Sequence, residues 1–122
     1  MIELNVGGRI FETTLMTLTK HNDTMLAAMF SGKHPQPQDK NGRYFIDADG
    51  DTFVYILRYL RHKQLPPKDM IEEVYRAAQY FGPQDLLDEL EGMPQIALKK
   101  VSFKLHVGVN IEVGLLLAIP RS

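Results

Sequence analysis

Four apolar side chains, Phe53, Ile56, Leu57 and Leu60, recur at i, i+3, i+4 and i+7, and this spacing constrains the fold more than any other feature of the chain. It places all four on one stripe of an α-helix. Burying them is worth about 1.5–3 kcal/mol each before chain entropy is counted. The stripe therefore demands a covering layer, and the flanking sequence supplies one. Ile71, Val74, Ala78 and Phe81 mark a second amphipathic helix, opened by Pro66-Pro67 and closed by Gly82-Pro83. Leu86, Leu87, Leu90 and Met93 mark a third, with Gly92 and Pro94 as its stop. Upstream, Leu26, Met29 and Phe30 share a face of a shorter helix, Met25 to Ser31, capped by Asp23 or Thr24 and ended by Gly32. Thr17-Leu18-Thr19 begins a further turn or helical piece.

Elsewhere the period is two. Ile2, Leu4 and Val6 alternate with Glu3 and Asn5, which predicts a half-buried strand. Gly7-Gly8 suits a tight hairpin turn, and Arg9 to Thr14 returns as the second strand. Arg43 to Asp47 is a third strand, after a proline-containing loop from Lys33 to Gly42. Helices gathered after a small, mainly hairpin sheet make the class α+β. The 122 residues suffice for one domain. Beyond Pro94 the pattern is ambiguous. Val101 to Val113 alternates as one or two strands would, yet Ile111, Leu115, Ala118 and Ile119 also fit a helix. An alternating strand with a free edge would pair with something, in this chain or in a neighbour.

Composition narrows the chemistry. Fourteen basic and fifteen acidic residues nearly cancel, so no electrostatic footprint for nucleic acid exists. With no cysteine there are no disulfides, thiol nucleophiles or cysteine-based zinc sites. No apolar run approaches the roughly 20 residues that span a bilayer, and the N-terminus lacks the pattern of a signal peptide. Asn22-Asp23-Thr24 fits a glycosylation acceptor but is better taken as a helix cap. Asp47-Ala48-Asp49-Gly50-Asp51 resembles a calcium loop only at its start. Arg58 stands where the bidentate Glu is required. The acids serve instead at a helix N-terminus. His21, His34, His62 and His106 form no i, i+4 ligand pair. Gly7-Gly8 opens a strand and lacks the Gly-Lys-Ser/Thr ending of a phosphate loop, and no Ser sits in a Gly-x-Ser-x-Gly elbow. Nothing pairs a nucleophile with a base, so neither an enzyme nor a bound cofactor is expected.

Leu4-Asn5-Val6-Gly7-Gly8 with Phe11, Thr13, Thr17 and Leu18 resembles the opening of a BTB/POZ domain of the potassium-channel-tetramerisation type. Asp23 to Gly32, Gly42 to Asp47, Asp49-Gly50, Phe53, Ile56 to Arg61 and Leu65-Pro66 continue the match. Val74, Ala78 to Phe81, Leu86, Leu87 and Leu90 complete it. Within that group the chain is similar to the KCTD proteins. The resemblance implies a BTB/POZ fold over residues 1–93, a small sheet with an N-terminal hairpin covered by about five helices, and a short C-terminal extension over 94–122. It further implies a homo-oligomeric ring, with a pentamer favoured over a tetramer, and for many members a role as substrate adaptor for cullin-3 ubiquitin ligases. A cytoplasmic location, extending to the nucleus, goes with that role.

The resemblance also assigns sites. Asn5, Arg9, Asp47, Asp49, Arg58 and Arg61 fall at the subunit interface. Phe30, His34, Pro35, Tyr80, Phe81 and Gln84 fall at the cullin-binding surface. By their helical spacing, Phe30 and Phe81 are better placed for core packing, while Tyr80 suits core and partner equally. Several features depart from the family pattern: Ala48 for a frequent Arg, Ala77 for a frequent Glu, Lys63 for a common Gly, and the Gly82-Pro83 link. The alternative function is a self-assembling scaffold, or an auxiliary subunit of a membrane channel or receptor, with no ligase role. Charged groups clustered around the third strand and the following helix argue independently for a head-to-tail ring.

Overall fold

The N-terminal alternation forms a hairpin in the computed structural model, which describes residues 1–33 and 35–99. β1 (Ile2–Val6) and β2 (Arg9–Thr13) pair antiparallel, with Val6 opposite Arg9 and Ile2 opposite Thr13. Gly7 and Gly8 adopt φ of +58° and +100°, a region that only glycine enters cheaply. Asn5 Oδ1 braces the turn by accepting from the Gly8 N–H at 2.8 Å.

Thr14 does not extend β2. Its Oγ1 accepts from the Thr17 N–H at 3.1 Å and caps α1 (Leu15–Thr19). Of the two candidate caps for α2 (Met25–Met29), Thr24 takes the role, accepting from the Ala27 N–H at 3.0 Å. α2 stops two residues short of Ser31, and Gly32 reverses the chain with φ +85°.

β3 (Tyr44–Ile46) then joins β1 in parallel, with Asn5 beside Phe45, so the strand order is β2-β1-β3. It is two residues shorter than the alternation over 43–47 suggested. The hairpin pattern alone could not reveal this pairing, because a parallel neighbour is reached only by a long crossover.

α3 (Gly50–His62) carries the four-residue stripe inward, with Phe53, Ile56, Leu57 and Leu60 all buried. Lys63 ends it in the left-handed region at φ +57°. A 3-10 turn over Lys68–Met70 follows Pro66-Pro67 and leads into α4 (Ile71–Phe81), whose four apolar residues are buried as spaced. Gly82-Pro83 separates α4 from α5 (Gln84–Glu91). Leu86 and Leu90 of α5 are fully buried, whereas Leu87 and Met93 are half-buried. Asp23, the cap that α2 did not use, accepts from the Gln84 N–H at 3.0 Å and so caps α5 from 61 positions away.

Gly92 caps the end of α5, and Pro94 opens another helical stretch over 94–99, where Ile96 is buried in the core. The alternation over Val101 to Val113 lies outside the described residues. The core is one cluster shared by the sheet and the helices. Through it runs an aromatic ladder: Phe11 on Phe53 at 5.6 Å, Phe53 on Phe81 at 5.6 Å, and Phe81 on Tyr80 at 4.6 Å.

Candidate functional site

Helix α3 carries opposite charge at its two ends. Thirteen residues at about 1.5 Å each span roughly 20 Å. At the N-terminal end, Asp49 caps the helix, its carboxylate accepting from the Asp51 N–H and the Thr52 hydroxyl at 3.0 Å each. This is the role foreseen for an acid before a helix. Arg9 reaches Asp51 at 3.0 Å and lies over the Phe11 ring. Asp47 is exposed and has no hydrogen bond or ion pair among the described residues. At the other end, Arg61 donates to the Glu12 carbonyl on the rim of β2. Arg58 stacks over Tyr55 at 5.3 Å, its guanidinium without a hydrogen bond among the described residues.

Asn5, Arg9, Asp49 and Arg61 are thus engaged within their own chain, and Arg58 and Asp47 face outward. Asn5 sits mid-row on the outer face of the sheet, between Ile10 on β2 and Phe45 on β3. Those two large apolar residues are 43% and 47% exposed. The strand alternation sets Phe45 on the face opposite Tyr44 and Ile46 but assigns neither it nor Ile10 to a surface, although each is out of phase with buried neighbours: Ile10 with Phe11, and Phe45 with Ile46. That phase was the available signal. On the same face Arg43 Nε donates to Glu3 Oε1 at 3.1 Å.

The residues assigned to the second surface divide. Phe30 is buried edge-on against Tyr44, with ring centroids 5.1 Å apart, and Phe81 is buried in the ladder. Tyr80 is 59% exposed yet held by Phe81 beneath it. Gln84 is exposed and bonds Asp88. Pro35 is exposed, and His34 lies outside the described residues. Beside Phe30 a shallow groove of about 650 Å³ is lined by Leu15, Ala27, Ala28, Ser31 and Lys33 among others. The exposed Leu15, Met16 and Met25 project from the same pair of short helices. Behind Gln84, Asp85 approaches His21 at 3.8 Å and Lys63 at 3.5 Å. Burial, with Asp85 and Glu89 close by, pushes the Tyr59 hydroxyl up to about 12.

A third feature joins two of the unusual positions. Ala48, before α3, and Ala77, on α4, line one cavity of about 330 Å³ with Asp49, Phe53, Glu73 and Arg76. Two small side chains facing each other across this gap leave it open as a notch. Among the described residues no cluster of His, Asp or Glu could hold a metal, and no helix is long and apolar enough to cross a membrane.

The hairpin, the parallel third strand and the helices after it match the BTB/POZ domain family model over residues 2–90. The chain belongs to the BTB/POZ family. It is 46% identical over 114 residues to BTB/POZ domain-containing protein KCTD21 of Mus musculus and of Homo sapiens, covering 91% of this chain and 44% of each relative. It is also 46% identical over 104 residues to BTB/POZ domain-containing protein KCTD14 of Homo sapiens, covering 85% of this chain and 40% of that one. The chain therefore spans less than half the length of the curated relatives it matches. The α+β class and the channel-tetramerisation type of BTB/POZ domain inferred from the sequence both stand. BTB/POZ domains are protein-interaction modules, and this is the level of function that family membership carries.

Proposed function

We propose that this BTB/POZ chain assembles as a homo-oligomeric ring, pentameric in preference to tetrameric, and acts as a non-catalytic substrate adaptor for a cullin-3 ubiquitin ligase. The supporting observation is Tyr80. A large aromatic residue that is 59% exposed, but fixed from below by a buried ring, has the form of an interface anchor. It stands at the end of α4, beside the exposed start of α5 at Gln84, and α4 packs against α2, which leads into the Phe30–Pro35 segment. A cytoplasmic location, with access to the nucleus, goes with this role.

Calorimetry with the N-terminal region of cullin-3 tests the reading. Binding with micromolar affinity or better is expected, and Tyr80→Ala should abolish the heat while leaving the fold intact. No heat and no co-elution at tens of micromolar would remove the adaptor role. The second reading is a self-assembling scaffold, or an auxiliary subunit of a membrane channel or receptor. One observation favours it: Phe30 and Phe81 are spent on the core, which leaves Tyr80 as the exposed aromatic of the three.

A further inference from the structure

The two ends of α3 differ in what they lack. The notch at its N-terminal end is lined by the small Ala48 and Ala77, the aromatic Phe53 and Phe81, and the charged Asp49, Glu73 and Arg76. Glu73 is exposed and has no ion pair among the described residues. Its volume of about 330 Å³ lies at the small end of ligand pockets, about 300–1,000 Å³, and suits one long side chain rather than a drug-sized molecule. Near the C-terminal end, Arg58 is exposed and stiffened by Tyr55, and its donors are unused among the described residues.

An arginine combines an apolar stem, which suits alanine and aromatic walls, with a planar fork that pairs with carboxylates. One rigid helix cannot bring its own Arg58 to its own N-terminus. A second copy can, and a contact between different patches of identical chains closes a ring if its rotation closes.

We infer that the Ala48–Ala77 notch is an arginine socket, filled by Arg58 of the neighbouring copy in the assembly. The inference rests on the oligomeric reading above and adds which side chain enters which cavity. Asp49 and Glu73 draw the guanidinium in, against the opposing charge of Arg76. Each Asp49 oxygen already accepts one capping bond and keeps a second lone pair for the guanidinium.

Charge reversal on both sides of the contact tests it, because Arg58 and Glu73 are exposed and give the fold no more than a ring contact with Tyr55 and one first-turn charge on α4. Light scattering at micromolar concentration should show the wild-type ring. Arg58→Glu and Glu73→Arg should each shift the dissociation midpoint to at least about tenfold higher concentration, a loss readable as a lower mean mass. The double variant, with both charges exchanged in one chain, should regain the wild-type mass. Circular dichroism spectra should be the same for all four proteins. A wild-type ring whose mass neither single variant alters overturns the socket and leaves the assembly standing. A double variant no better than either single also overturns it. A wild-type chain that is monomeric throughout this range overturns the assembly and the socket together.

Discussion

Replacing Gly50 with alanine sets two physical effects of opposite sign against each other. Gly50 is the first residue of α3. Helix propensity favours alanine over glycine by up to about 1 kcal/mol. The close approach of the hairpin reverses that. A Cβ on Gly50 would lie 2.6 Å from the Val6 carbonyl oxygen and 2.6 Å from Arg9 Cβ, where ordinary contact begins at 3.4 Å. Val6 and Arg9 are paired across β1 and β2, so neither backbone can withdraw without loosening the ladder. Overpacking of this kind costs about 1–3 kcal/mol. The net expectation is destabilisation by about 1–2 kcal/mol, or a Tm lower by roughly 4–8 °C for a domain near this size. The assay is urea or thermal unfolding at fixed protomer concentration, since assembly adds its own stabilisation by mass action. Gly92→Ala is the control. A Cβ there meets nothing nearer than 3.6 Å and φ is −79°, so the same substitution should stabilise by about 0.4–1 kcal/mol. If Gly50→Ala is as stable as wild type or more so, the hairpin does not press on α3 as closely as these distances require.

Other outcomes follow from individual contacts. Asp49→Ala should cost about 1 kcal/mol in urea titration by removing the α3 cap, with Asp49→Asn recovering most of it. Phe53→Ala, at the centre of the aromatic ladder, should cost about 3–5 kcal/mol and leave little folded protein at 37 °C. Tyr80→Ala should cost less than about 1.5 kcal/mol, the worth of its ring contact, while eliminating calorimetric heat with cullin-3. Tyr59 supplies a pH signature. Its hydroxyl titrates near 12 in the fold against 10.0 ordinarily. The stabilisation from its neutral form is therefore complete below pH 10 and is lost as pH rises from about 10 to about 12. Tyr59→Phe should flatten that limb of the stability–pH curve relative to wild type, and two parallel curves would refute it.

The elements were legible from their own residues, because each is a local pattern. The stripe of α3, the buried face of α4 and the alternation of β1 can be read within a dozen residues of themselves. So can the left-handed demand of Gly7-Gly8, since a two-residue turn sets its own φ angles. Partner choice across the chain depended on tertiary structure. Which of Asp23 and Thr24 capped α2 was open, since both satisfy the local rule; the position of the α5 N-terminus against the turn gave Asp23 a different helix. Ala48 and Ala77 are 29 residues apart and harmless singly, and only the packing of α4 beside the start of α3 turns them into one cavity. The second reason for Gly7 was equally hidden. A Cβ there would collide with the Ala48 carbonyl oxygen, a neighbour 41 positions away. Periodicity reports which face of an element is apolar. It carries no information on which other element will meet that face, because that is set by the three-dimensional fit of the whole core.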